Sequence, residues 1–296
     1  MSDNNDLDEA KELQKFNFHD YCTAALILTK KIAIDFKTGK HAPYEILYTE
    51  EASKIRSATV TFVKYNQSYY AITCAHVIKQ VVQETNKDID ALTGDYPEHT
   101  ENLKKSGEYD RQLVSVIDNF VTLNYEFKIP KPEIGTNQQP DIAIAKISSK
   151  DMKAIGKKAI PINKNIKSKI INPYSVAVGF PERKKYFIKK GKNHKQMVLP
   201  HALISAKFNS KSLPENSFYI QDTAEIDTFS DNDFSGMSGG PVFWVDENEF
   251  GLTGLFSDSA DNGRFNKSDY LESKDIFYKA EYASPELLKS LIDRLF

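Results

Sequence analysis

Cysteine is nearly absent from this chain: among 296 residues only Cys22 and Cys74 carry a thiol. That excludes the disulfide framework of a small secreted domain, although one bridge between the two stays open. No stretch approaches the roughly 18 consecutive apolar residues that a membrane-spanning helix needs. The N-terminal run Met1-Ser-Asp-Asn-Asn-Asp-Leu-Asp-Glu9 lacks the basic and apolar regions of a secretory signal. Net charge is almost missing too, at −2 from 39 basic and 41 acidic residues, so nothing global draws the chain to nucleic acid or to a membrane. Internal repeats and low-complexity tracts are also lacking. These absences predict a soluble, cytoplasmic protein.

What the chain does have is β-forming sequence. Aromatic residues make up 11%, and with the β-branched residues they fall in short alternating runs separated by turn signals, the pattern of an all-β chain. Leu7, Ala10, Leu13 and Phe16 recur at three-residue spacing, which predicts a short amphipathic helix in an N-terminal extension over 1–20. Thr23 to Phe36 reads as one or two strands. Residues 57–75 read as a hairpin turning at Asn66-Gln67-Ser68. A polar insertion over about 83–111 exceeds a normal connection and is read as a surface excursion, with a lid or partner loop as the other reading. Strands follow at about 113–129 and 141–147, and the lysine-rich stretch 148–170 reads as a connection to a second unit running from Tyr174 to Tyr282. Within that unit, Arg183 to Lys195 is a basic hairpin. A charge run around a turn glycine is the ordinary solvated tip; contact with phosphates is the alternative.

The chemistry concentrates in Gly236-Met-Ser-Gly-Gly-Pro241. A serine hydroxyl is a weak nucleophile at neutral pH, so it needs an adjacent base, and the oxyanion it creates needs donors already in place. Glycines at 236, 239 and 240 let the backbone turn tightly and aim N–H groups at one spot. By average residue usage, Ser-Gly-Gly-Pro arises at roughly 1 in 10⁵ positions. Upstream, Tyr69-Tyr-Ala-Ile-Thr-Cys-Ala-His76 is an apolar strand that delivers a histidine at its end, and histidine titrates near neutral pH. Asp141 stands at the mouth of the alternating run Asp141-Ile-Ala-Ile-Ala-Lys-Ile147, where its carboxylate can accept from His Nδ1–H and fix the tautomer. The order His76, Asp141, Ser238 excludes the subtilisin and α/β-hydrolase arrangements.

These segments resemble the trypsin-like, chymotrypsin-fold serine peptidases, in particular intracellular bacterial members. Thr73-Cys-Ala-His76 is similar to the family's Thr-Ala-Ala-His, Asp141-Ile-Ala-Ile to its Asp-Ile-Ala-Leu, and Gly236-Met-Ser-Gly-Gly-Pro to its Gly-Asp-Ser-Gly-Gly-Pro. Ser57-Ala-Thr-Val-Thr-Phe-Val63, Val178-Gly-Phe-Pro181, Gly251-Leu-Thr-Gly-Leu-Phe-Ser257 and the tail Ile276 to Tyr282 with its following helix resemble further family segments in order. The likeness spans about residues 55–296. It implies two six-stranded antiparallel β-barrels, the first over 21–150 carrying His76 and Asp141, the second over 151–296 carrying Ser238 and ending in a helix. It further implies peptide-bond hydrolysis through an acyl-enzyme, an oxyanion hole from the N–H groups of Gly236 and Ser238, and no cofactor.

The same resemblance assigns the base of the primary specificity pocket to Asn232, flanked by Asp231 and Asp233, and a substrate-pairing edge to Ser257, Asp258 and Ser259. With Asp258 nearby, the expected preference is for basic or polar side chains. Ile276 on the pocket wall would make it shallower. Phe256 before Ser257 excludes the glutamate-specific subtype, which has a histidine there. In secreted members an aspartate before the nucleophile pairs with a new N-terminus after cleavage; Met237 cannot. The expected partners are a peptide or protein substrate and a regulatory protein, as in proteases of bacterial stress or defence. A catalytically latent peptide-binding module is the second reading, and a nucleic-acid-responsive protein using the basic hairpin the third. Cys74 is read as a buried, inert thiol. The other histidines show no spacing with cysteine that suits a metal.

Overall fold

The computed structural model describes residues 16–26, 57–79, 109–118, 121–132, 139–162, 174–189, 195–209, 216–223, 234–246, 249–259 and 275–296. The expected helix over 7–16 (apart from Phe16), residues 83–108 of the insertion, the hairpin tip 190–194 and Asp231, Asn232 and Asp233 lie outside the described residues.

Strand β1 (Cys22–Leu26) runs antiparallel to β2 (Ser57–Tyr65), which turns back into β3 (Ser68–Thr73). Asn66 and Gln67 make that turn with φ of 44° and 64°, and two successive positive φ values match the twist of the flanking strands. The predicted hairpin is therefore present. Strands β4 (Tyr109–Asp118) and β5 (Val121–Pro130) form the next antiparallel pair, so Tyr109 to Arg111 belong to a strand and not to the insertion. Strand β6 (Ala143–Ile147) then lies between β5 and β3.

The stretch that reads as a plain connection turns back onto this sheet. Ser148 caps helix α1 (Ser149–Ile155) by accepting from Asp151 N–H at 3.0 Å, and Gly156, at φ 73°, closes it. Met152 and Ile155, one turn apart, enter the core beside Phe62 and Phe127. Strand β7 (Ile160–Pro161) adds in parallel to β2, and Ile160 and Ile162 are both buried. The result is a seven-stranded sheet in the order β1-β4-β5-β6-β3-β2-β7, in which β1 also pairs with β2. The expected first barrel of six strands is thus found in part, as a seven-stranded sheet to which Ile160–Pro161 of the lysine-rich segment adds the extra strand.

The second strand set begins with β8 (Tyr174–Gly179); β9 (Tyr186–Lys189) and β10 (Lys195–Val198) stand aside as a two-stranded ribbon. Strands β11 (Ala202–Asn209), β12 (Ser217–Thr223), β13 (Pro241–Val245), β14 (Phe250–Ser259) and β15 (Asp275–Tyr282) follow. Together with β8 they close a six-stranded barrel in the order β11-β12-β15-β14-β13-β8.

Strand alternation divides the apolar residues between two cores. Ala177 of β8 faces the barrel interior with Phe218 and Phe256. Its neighbours Val176 and Val178 face the seam, where they meet Ala58, Val63 and Ile144 of the sheet. Helix α2 (Pro285–Leu295) seals that seam. Ser284 caps it by accepting from Leu287 N–H at 3.2 Å, which contributes about 1 kcal/mol. Its buried Leu288, Leu291, Ile292 and Leu295 each contribute roughly 1.5–3 kcal/mol by leaving water. Lys128 Nζ donates to Leu295 O at 2.6 Å and Arg294 to Lys131 O at 3.2 Å, so a helix that follows the barrel is fastened to the sheet. From the other end, Phe18 stacks on Phe243 at 5.0 Å and carries the N-terminal segment over the barrel. Among the described residues no helix is long and apolar enough to cross a membrane.

Candidate active site

Strand β3 ends at Thr73, and a helical turn over 75–79 takes the chain away, leaving His76 at the lip of the sheet. Asp141 reaches it from the residues before β6. Its Oδ1 accepts from His76 backbone N–H at 2.7 Å and its Oδ2 pairs with His76 Nδ1 at 2.5 Å. The carbonyl of Asp141 also accepts from Ala75 N–H at 3.2 Å. A carboxylate can only accept, so Nδ1 carries the proton, and in the neutral ring the lone pair belongs to Nε2. The imidazole keeps 43% of its side-chain surface exposed, enough for a second group to approach.

Ser238 lies in the loop between β12 and β13, and the conformation of that loop follows from its carbonyls. Ser235 O accepts from Glu182 N–H at 2.5 Å, Gly236 O from Thr59 Oγ1 at 2.9 Å and Met237 O from Gly240 N–H at 2.8 Å. Ser238 O accepts from Thr59 N–H at 3.0 Å and Gly239 O from Thr61 Oγ1 at 2.8 Å. Each carbonyl from 235 to 239 is thus turned into protein. A trans peptide sends its N–H opposite to its C=O, so the N–H groups of Gly236 and Ser238 point away from those anchors. Among the described residues neither of these two N–H groups has a partner. Gly236 and Gly239 make the turns at φ 92° and 90°, where a side chain is strained. Met237 is fully buried in the barrel core.

The serine hydroxyl itself does not meet the histidine. Ser238 Oγ donates to Ser257 O at 2.8 Å, and among the described residues no hydrogen bond joins it to His76. Ser257 lies where β14 bulges between Phe256 and Asp258, a distortion that frees its carbonyl from the ladder. Its own hydroxyl makes a long 3.5 Å contact to Asp141 Oδ2. The structure therefore brings His76, Asp141, Ser238, Gly236 and Ser257 into one cluster. Asp258 and Ser259 follow on β14, and Ile276 lies on β15, as backbone only, their side chains being outside the described residues. Asn232 is outside altogether.

No family model matches the chain. No curated protein matches it either. Among solved structures, a thermostable serine protease, AL20, from an extremophilic microorganism is similar at 12% identity, with a TM-score of 0.39 over 79% of this chain and 88% of that one. A chain from a structure concerning the intrinsically disordered VPg protein of Sesbania mosaic virus, whose coupled folding and binding are driven by aromatic interactions, has 9% identity. Its TM-score is 0.36 over 79% of this chain and 82% of that one.

Thr59, Thr61 and Glu182 are the site residues that the sequence reading missed. Thr59 and Thr61 alternate along a strand buried from residue 57 to 63. Polar side chains repeated at period 2 inside a buried strand must find partners, and that was the available signal. The basic hairpin also departs from the expected solvated tip at its root, where Lys185 is only 5% exposed. His19 and His201, read as scattered, stack on each other at 4.9 Å.

Cys74, His76 and Asp141 place possible metal-ligand atoms within 4.8 Å of one another, but His76 Nδ1 is held by Asp141 and Cys74 S–H donates to Phe256 O at 3.2 Å. Burial, with a smaller contribution from Asp141, pushes the Cys74 thiol well above its usual pKa. The thiolate is the reactive form, and Cys74 is buried as expected. Cys22 is also buried and in no disulfide. Native protein at pH 8 should therefore show no thiol reactive toward Ellman's reagent, and denatured protein should show both. A fast native thiol would contradict this account.

Proposed function

We propose that the chain is a serine endopeptidase of the trypsin-like, chymotrypsin fold, with Ser238 as nucleophile, His76 as general base and Asp141 as the group that orients His76. The observation that carries the reading is the pair of N–H groups at Gly236 and Ser238 that have no partner among the described residues, beside a serine hydroxyl in a loop whose carbonyls from 235 to 239 are all engaged. Donors left over beside a hydroxyl suit the oxyanion of a tetrahedral intermediate.

In this mechanism, an extended substrate adds along the Ser257–Ser259 edge as a further strand, and its N–H takes the Ser257 carbonyl that Ser238 Oγ occupies at rest. The displaced hydroxyl turns to His76 Nε2, gives up its proton and attacks the scissile carbonyl. Hydrogen bonds of this kind are often unmade without substrate and tighten in the complex. The N–H groups of Gly236 and Ser238 hold the oxygen that becomes negative. His76 passes its proton to the leaving amine, and then activates the water that releases the acyl group. The pairing of β1 with both β4 and β2 supports a barrel-like first unit, which would place the site at the seam of two barrels.

The resting bond from Ser238 to Ser257 favours one second reading, a latent module that binds peptides without turnover. A fluorophosphonate probe, which reacts covalently with activated serines, separates the two. Labelling of the native chain, lost in Ser238→Ala, is the expected result. Absence of labelling in both would overturn the peptidase reading and leave the latent module.

A further inference from the structure

Met237 raises a physical problem. The residue before the nucleophile is apolar and fully buried, so it offers the loop no ion pair or hydrogen bond from its side chain. Something else must fix the peptide between Ser235 and Gly236. Turned by 180°, that peptide would aim a carbonyl where Gly236 N–H now points, replacing a donor with an acceptor.

Besides the turn bond from Met237 N–H to Phe234 O at 2.9 Å, which leaves the loop unattached to its surroundings, two residues secure its first peptides to neighbouring segments. Thr59 Oγ1 holds Gly236 O, which belongs to the next peptide along. The 235–236 peptide is held by Glu182, whose backbone N–H donates to Ser235 O at 2.5 Å and whose Oε2 accepts from Ser235 Oγ at 3.0 Å. The other carboxylate oxygen, Oε1, accepts from Ser57 N–H at 2.9 Å, at the first residue of β2, and from Lys185 Nζ at 3.4 Å. The Lys185 side chain is 1% exposed. A buried ammonium beside a carboxylate is strongly destabilising if the carboxylate is removed. Burial lowers the Lys185 pKa, and Glu182 opposes that shift.

We propose that Glu182 is a positioning residue that holds the 235–236 peptide with Gly236 N–H directed outward, clamping the nucleophile loop to β2 through Ser57. The inference rests on the peptidase reading above. It adds that the loop is set by a carboxylate from the segment after β8, without help from the side chain at position 237. Ser238 N–H is set separately, by the bond from Gly240 N–H to Met237 O. Loss of Glu182 should therefore disable one donor of the two.

The test measures fluorophosphonate labelling of the full chain, with the maximal inactivation rate and the probe's apparent affinity taken separately. Glu182→Ala removes the anchor to Ser57 and leaves Lys185 without this partner, so the turn carrying the Glu182 N–H shifts. The expected result is an inactivation rate lower by on the order of 10²-fold, the effect of losing one oxyanion donor, with apparent affinity within about 3-fold of the native chain. Lys185→Met leaves the bonds from Glu182 to Ser57 and Ser235 in place and should label within about 10-fold of native. If Glu182→Ala does not fold, Glu182→Gln takes its place; it keeps an acceptor for Ser57 N–H but no charge, and a roughly 10-fold fall is expected. Native rates in folded Glu182 variants, or a fall confined to apparent affinity, would overturn the inference alone. A native chain that never labels would overturn the peptidase reading and this inference together.

Discussion

Asp141→Asn should lower the rate of fluorophosphonate labelling, and of any peptide turnover, by about 10⁴-fold while the protein stays folded. The reason lies in how the carboxylate is used. Its two oxygens accept from two different donors on one residue, His76 N–H and His76 Nδ1. An asparagine has one accepting oxygen and one donating amide. If the oxygen stays on the backbone N–H, the amide faces Nδ1 and can bond only to an unprotonated nitrogen, which moves the ring proton to Nε2. The proposed base is then already protonated where it must receive the proton of Ser238. If the amide flips, it opposes the His76 backbone N–H and the helical turn over 75–79 loses an anchor. Either arrangement leaves the ring near its place and the chemistry disabled, so circular dichroism and the melting temperature should change little. A labelling rate within 10-fold of native would remove Asp141 from the mechanism.

The three proposed catalytic residues are legible because chemistry restricts them to a few residue types in recognisable surroundings. A histidine at a strand exit, a carboxylate at a strand mouth and a serine among glycines stand out in a single sequence. The hairpin around Asn66 is legible from alternation, whereas the closed barrel is legible only as one unit over Tyr174 to Tyr282. The supports of the site are not. Ser57 meets Glu182 across 125 residues, and Thr59 and Thr61 meet Gly236 and Gly239 across 177 and 178. No local pattern encodes a partner at that distance, and a threonine is ordinary in any strand. Helix α1 and β7 were hidden for a different reason. Lysines dominate 148–170, and the apolar residues that decide its fate, Met152, Ile155, Ile160 and Ile162, are too sparse to make a run. The acceptor role of Ser257 belongs to its backbone, which depends on a bulge and not on the side chain.

These supports explain why the site lies at the seam. His76 and Asp141 come from the sheet, Ser238 and Ser257 from the barrel, and the contacts between the two sides include bonds from Thr59 and Thr61 to the loop that carries Ser238. The apolar seam and the loop therefore depend on the same fit. A change that leaves every proposed catalytic group intact can still separate them.

Gly239→Ala should do this and produce a large loss of stability for one added methyl group. A Cβ at 239 would come 2.0 Å from Thr73 Oγ1 and 2.2 Å from Thr59 O, and the backbone sits at φ 90°. The conformation alone costs about 1–3 kcal/mol for a residue other than glycine. The clash cannot be relieved by a rotamer, because Thr73 Oγ1 donates to Thr59 O at 2.8 Å and Thr59 N–H donates to Ser238 O at 3.0 Å. Relief requires β2 and β3 to move away from the loop, opening the seam. A total above about 4 kcal/mol is expected, in the rare tail for single substitutions, and at about 2–4 °C per kcal/mol it lowers the melting temperature by roughly 10 °C or more. Ser238→Ala supplies the contrast, since it removes only the exchangeable bond to Ser257 O: labelling should vanish with melting nearly unchanged. If Gly239→Ala melted with the native chain, the tight contact between loop and sheet would not exist in solution, and the case for a preset pair of donors at Gly236 and Ser238 would go with it.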